Sequence, residues 1–123
     1  METLLIADDN PGVRRMLTQC LGAAGRSVLA VEDGDAALEV ALARLPDLII
    51  LDVCMPGRGG HAVCAALRAD ARTAHIPIVL LSGMGEPEAA DIGSPGGPDD
   101  YVCKPFNIND LSARVHALLG RAS

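Results

Sequence analysis

Short runs of consecutive aliphatic residues alternate along this chain with longer stretches whose apolar residues recur every three or four positions. Runs such as Leu48-Ile49-Ile50-Leu51 lack the apolar-polar alternation of a half-wet strand, so they predict strands buried on both faces. Read this way, strands fall at Thr3–Ala7, Ser27–Val31, residues 48–51, residues 76–81 and Asp100–Cys103. Pro77 near the start of the fourth is tolerable, because a missing donor matters least at a strand end.

Between the runs the spacing turns helical. Asn10-Pro11 offers a cap followed by proline at the first helical position, and Val13, Leu17, Leu21 and Met16, Cys20, Ala24 fall at helical spacing before Gly25 stops the helix. Glu32-Asp33-Gly34 turns into a helix over residues 35–45, with Ala37, Leu38, Ala41, Leu42 and Leu45 as its inward stripe. A third helix over residues 60–69 packs Val63, Ala66 and Leu67. Asn107, with Asp110 three residues on, caps a last helix whose apolar stripe is Ile108, Leu111, Val115, Leu118 and Leu119. Strands alternating with helices imply a doubly wound α/β domain: a five-stranded parallel sheet, right-handed crossovers, helices on both faces.

Composition narrows this picture. A length of 123 residues makes one domain, residues 1–123, large enough for a single core. Trp is absent and Tyr101 and Phe106 are the only aromatics, so that core is Leu, Val, Ile and Ala. A net charge of −6 argues against binding nucleic acid through this domain and favours a small cation. Cys20, Cys54, Cys64 and Cys103 have no metal-finger spacing and lie in apolar contexts, which predicts buried free thiols in a reducing cytoplasm. No signal region and no apolar run of membrane-spanning length is present, so the expected location is cytoplasmic, with no membrane partner.

The chemistry gathers at the strand ends. Asp8 and Asp9 follow strand one, Asp52 ends strand three, Ser82 ends strand four and Lys104 follows strand five. In open parallel sheets ligands collect beyond the carboxyl ends of the strands, so these residues converge on one rim. Three carboxylates at one edge repel each other unless a cation joins them, and an all-oxygen set suits Mg²⁺ with room for a phosphate oxygen. Lys104 and Ser82 add an ammonium and a hydroxyl suited to phosphoryl oxygens, and Asp52 among them is a candidate nucleophile on phosphorus. His61, His75 and His116 fall on a helix start, in a loop and on a helix face, none placed as a general base.

Four motifs together resemble the two-component response-regulator receiver domain, typified by the single-domain chemotaxis regulator: Asp8-Asp9, Asp52-Val53-Cys54-Met55-Pro56-Gly57, Ser82-Gly83 and Lys104-Pro105-Phe106. That resemblance covers essentially the whole chain and implies a flavodoxin-like (βα)5 fold. It implies that Asp52 accepts a phosphoryl group from a histidine kinase or histidine phosphotransfer protein. Asp9, Asp52 and the backbone carbonyl of Cys54 would bind Mg²⁺, with Asp8 acting through water; Ser82 and Lys104 would hold the phosphate. It implies a cis peptide at Lys104-Pro105, and an aromatic switch at Tyr101 that turns inward as Ser82 moves. Such a domain is not an enzyme that turns over substrate, but a phosphoacceptor that assists its own phosphorylation and dephosphorylation.

The chain departs from the resemblance between strands four and five. The segment 84–98, opening at Met84 and closing at Pro98, holds four glycines and three prolines. Prolines cost a helix about 3 kcal/mol each and glycines up to about 1, so a short or disordered fourth helix is expected there. That is either a drifted surface loop or a surface rebuilt, with the last helix, for a different downstream protein or output domain. Among rival classes, a haloacid-dehalogenase-like phosphatase needs an acid two residues after its nucleophile, where Cys54 stands. An unphosphorylated module would lack the acids or the lysine, and a flavodoxin-type cofactor binder would want a Ser/Thr loop in place of Asp8-Asp9.

Overall fold

The computed structural model describes residues 2–22, 25–83 and 97–122. Strands β1 (Thr3–Ala7), β2 (Ser27–Val31), β3 (Leu48–Asp52), β4 (Ile78–Ser82) and β5 (Asp100–Cys103) form one parallel sheet in the order β2-β1-β3-β4-β5. The described helices are α1 (Pro11–Gly22), α2 (Gly34–Arg44), α3 (Gly60–Ala69) and α4 (Ile108–Ala122). This is the flavodoxin-like doubly wound arrangement, in which the chain leaves β1 for one edge and returns through β3 toward the other.

Strand alternation divides the core in two. Leu5, Ala7, Ile49, Leu51, Ile78, Leu80 and Tyr101 face α2 and α3 with Ala37, Ala41, Val63 and Leu67. Leu4, Ile6, Leu48, Ile50, Val79, Leu81 and Val102 face α1 and α4 with Leu17, Leu21, Leu111 and Val115. Both sets are apolar because both faces are covered, which is why β1, β3 and β4 read as unbroken aliphatic runs. Each fully buried Leu or Ile stabilises the fold by roughly 1.5–3 kcal/mol.

The helix starts follow their caps. Asn10 Oδ1 accepts from the amides of Gly12 (2.8 Å) and Val13 (3.2 Å), Asp33 Oδ1 from Ala36 (2.7 Å), and Asn107 Oδ1 from Asn109 (2.8 Å) and Asp110 (3.2 Å). Asp110 itself turns to Arg114 one turn on, at 3.1 Å.

Several expectations need correction. Of the two stripes on α1, Leu17 and Leu21 are buried, but Met16 and Cys20 lie on the exposed side, since a helix resting on a sheet covers only one arc. Ala24 lies outside the described residues. Leu45 is not inward: it caps α2 in the left-handed region at φ 46° and is 51% exposed. Strand β4 begins two residues later than the apolar run, because Ile76 N donates to Thr73 O and Ile76 O accepts from Arg68. Only Cys64 is buried; Cys20, Cys54 and Cys103 are exposed and in no disulfide, the last two because they stand beyond or at strand ends, on the rim. The expectation of a short or disordered helix after β4 falls on residues 84–96, which lie outside the described residues.

Just beyond that segment the chain is clasped. Arg68 on α3 donates to the carbonyls of Gly97 (3.1 Å), Ala74 (3.0 Å) and Ile76 (2.6 Å) and to Asp99 Oδ2 (2.6 Å). The same Asp99 oxygen accepts from Ile78 N at 2.9 Å. The clasp therefore joins α3 to the start of β4 and the approach to β5.

Candidate functional site

The rim is assembled by strand ends in register. Asp52 is the last residue of β3, beside β1, after which Asp8 and Asp9 follow directly, so the acids meet where the winding of the sheet reverses. The ladder extends past the strands: Val53 N donates to Leu81 O at 2.8 Å and Lys104 N to Ser82 O at 2.7 Å, which sets Asp52, Ser82 and Lys104 side by side. The Lys104–Pro105 peptide is cis, as the resemblance implied.

Glycines let the loop after Asp52 close on the strand. A Cβ at Gly60 would lie 2.5 Å from the Asp52 carbonyl oxygen, and one at Gly59 would lie 2.7 Å from that of Val53. Helix α3 therefore starts hard against the end of β3. The loop is pinned from the other side where Gly34, opening α2, meets the Arg58 carbonyl without room for a Cβ.

The carboxylates differ in exposure: Asp8 is fully buried, Asp52 is 5% exposed, and Asp9 is open to solvent. One oxygen from each lies within 4.8 Å of the others, a spacing a single cation can bridge. Lys104 Nζ reaches Asp8 Oδ2 at 2.8 Å and Asp52 Oδ2 at 3.3 Å. Asp8 also accepts from Asn10 N through Oδ1 (2.9 Å), and its carbonyl accepts from Arg14 Nη1 (2.7 Å). Asp52 Oδ1 receives the Cys54 amide at 3.4 Å.

One lysine does not neutralise this group. Burial, and next the neighbouring charge of Asp8, push the Asp52 carboxyl above its ordinary value, against the opposing pull of Lys104 and the Cys54 amide. Burial alone would lower Lys104, but the hydrogen bond and charge of Asp8, joined by Asp52, outweigh it and raise the ammonium. The rim thus gathers three carboxyls against one ammonium around a nearly buried Asp52, an arrangement a hard divalent ion relieves.

Of the candidate site residues, Asp8, Asp9, Asp52, Ser82 and Lys104 reach this edge, whereas Tyr101 lies one layer down, 8% exposed, on the face of α2 and α3. Two features were missed. The Ser82 hydroxyl donates to the Cys103 thiol at 3.8 Å, and His61 Nδ1 lies 3.4 Å from the Tyr101 hydroxyl. The first was discoverable, since Ser82 and Cys103 are strand-end positions that pair directly across β4 and β5. The second had no local signal, because the partners are 40 residues apart.

A doubly wound α/β domain with paired acids, a strand-end aspartate, a hydroxyl and a lysine on one rim is a receiver-type signalling module. The chain belongs to the response regulator receiver domain family, whose model matches residues 4–116. It is 40% identical over 121 residues to a DNA-binding dual master transcriptional regulator of Synechocystis, covering 98% of this chain and 50% of that protein. Among solved structures, a response regulator from Chloroflexus aurantiacus superposes with a TM-score of 0.87 at 37% identity, covering 97% of this chain and 98% of the other. The receiver domain of a Pseudomonas aeruginosa sensor histidine kinase, with a magnesium ion coordinated in its active site cleft, gives a TM-score of 0.81 at 25% identity, covering 97% and 98%. The chain spans about half the length of the curated relatives it matches. No described helix is long and apolar enough to cross a membrane.

Proposed function

We propose that this receiver domain takes a phosphoryl group from the phosphohistidine of a histidine kinase or phosphotransfer protein onto Asp52. The observation that carries the reading is the rim itself: a nearly buried Asp52 with Lys104 Nζ at 3.3 Å and two further acids in reach of one cation. An Asp52 oxygen forms the new bond to phosphorus as the bond to the donor's imidazole nitrogen breaks. The electron pair leaves with the imidazole, which takes a proton from solvent.

The three carboxylates fit Mg²⁺, which Asp9, Asp52 and the Cys54 carbonyl would hold, with Asp8 as an outer partner, a reading supported by the ion in the Pseudomonas receiver's cleft. When bound, that ion neutralises charge on the phosphoryl oxygens. Lys104, now on Asp8 and Asp52, would turn to the same oxygens, and Ser82 would offer its hydroxyl from the adjacent strand. Modification then shifts the balance between two arrangements of the rim at Ser82, whose hydroxyl now meets Cys103, a change that differential contacts of a few kcal/mol can drive. The recipient of the signal is an output domain or separate protein. The Synechocystis relative, a DNA-binding regulator twice this length, illustrates the first case.

Incubation with acetyl phosphate and Mg²⁺ is expected to add one phosphoryl group per chain, detected by intact mass and lost in alkali as acyl phosphates are. Asp52→Asn is expected to abolish it. Label persisting in that variant refutes the assignment.

A further inference from the structure

The two halves of the proposed switch point in different directions. Ser82, fully buried at the end of β4, directs its hydroxyl across the ladder to Cys103 Sγ. Tyr101, on the same sheet face two residues before Cys103, is packed inward among Leu80 and Val63. Its hydroxyl meets His61 Nδ1 at 3.4 Å, and the two rings lie with centroids 5.8 Å apart at 46°. The phenol is therefore inward while Ser82 is engaged elsewhere.

We infer that His61 is a positioning residue which holds Tyr101 inward whichever way Ser82 points. A phenol carried into the core needs a hydrogen-bond partner for its hydroxyl, and otherwise gains by turning to water. The imidazole supplies that partner, and because a phenol both donates and accepts, the contact suits either ring tautomer. His61 is also a firm post. It follows Gly60, whose backbone sits directly against the Asp52 carbonyl, so the first turn of α3 cannot drift from the end of β3. Ring-to-ring packing adds to the hydrogen bond, so two contacts fix the aromatic from α3 and the serine is not needed for it.

This deepens the phosphoacceptor reading and rests on it for its meaning: in this chain the aromatic is set by α3, and the Ser82 to Cys103 contact is the part left to respond. The measurement does not depend on phosphorylation. Tyr101 is the only tyrosine and the chain has no tryptophan, so intrinsic fluorescence reports that residue alone. Acrylamide quenching is expected to be weak in the wild type and unchanged in Ser82→Ala. In His61→Ala it is expected to show an inward-to-outward ratio shifted about fivefold, the size of one neutral hydrogen bond. His61→Gln, which restores a polar group, is expected to stay near wild type, an outcome that mere loss of packing at His61 does not produce. Quenching that stays low in His61→Ala, or rises as much in Ser82→Ala, overturns the inference. If His61→Ala loses its far-ultraviolet helical signal, the Ser82→Ala and His61→Gln results still decide. A wild type that takes no label from acetyl phosphate refutes the proposed function while leaving the quenching comparison to judge His61.

Discussion

Lys104 and Arg68 are both cations paired with acids next to strand ends, yet one site is matched and the other is not. Arg68 donates to three carbonyls and to Asp99, and Asp99 in turn accepts from the Ile78 amide. Lys104 faces Asp8 and Asp52 together, with Asp9 close by, and the surplus charge leaves Asp52 raised by burial and by Asp8. A charged cluster with its hydrogen bonds closed stabilises a fold. One left with excess charge of a single sign is where a ligand gains most by binding.

The comparison can be broken first at the matched site. Arg68→Ala removes the partner of Asp99 and of three carbonyls in a half-buried place, so chemical unfolding is expected to show a loss of about 2–3 kcal/mol. A loss no larger than that of a surface change would mean the clasp is decorative. Lys104→Ala strands the buried Asp8 carboxylate with the Asn10 amide, an expected cost of about 1–2 kcal/mol, and millimolar Mg²⁺ is expected to recover much of it by taking over the charge. Recovery that fails to appear in thermal melts would argue that the acids do not hold the ion.

Asp52→Asn is expected to act in the opposite direction and by less. A carboxyl raised in the folded state favours folding while protonated, so its penalty is absent below the ordinary carboxylate range and complete above the folded value. The variant should therefore melt higher than wild type near pH 7, with the advantage fading as pH falls toward 4. A gain that persists unchanged at low pH would place its origin elsewhere. Smallest of all is Arg72→Ala. Its Asp70 partner is held down to about 2 chiefly by hydrogen bonds from Arg72, but the arginine is open to solvent, and no measurable change in melting temperature is expected.

The two clusters were not equally legible in the sequence. Asp8, Asp9, Asp52, Ser82 and Lys104 were readable because each sits at or just past the end of an aliphatic run, and a parallel sheet brings such ends to one edge. Arg68 carried no signal in the sequence, since its acceptors lie 6, 8, 29 and 31 residues away and no periodicity marks them. Cys54 and Cys103 looked buried for the converse reason: their apolar neighbours in sequence belong to strands that stop at or before them, at the rim. On α1 the helical period offered two apolar stripes, and only contact with the sheet selects Leu17 and Leu21 over Met16 and Cys20.

The Arg68 clasp also bears on how freely this chain can change. Ser82 is held by the ladder and the Gly97 carbonyl by a guanidinium, so both ends of the intervening stretch are moored to the sheet and α3. Any rearrangement at the rim therefore works against two fixed points: β4 and β5 cannot slide past each other without breaking the ladder at one end and the guanidinium's bonds at the other.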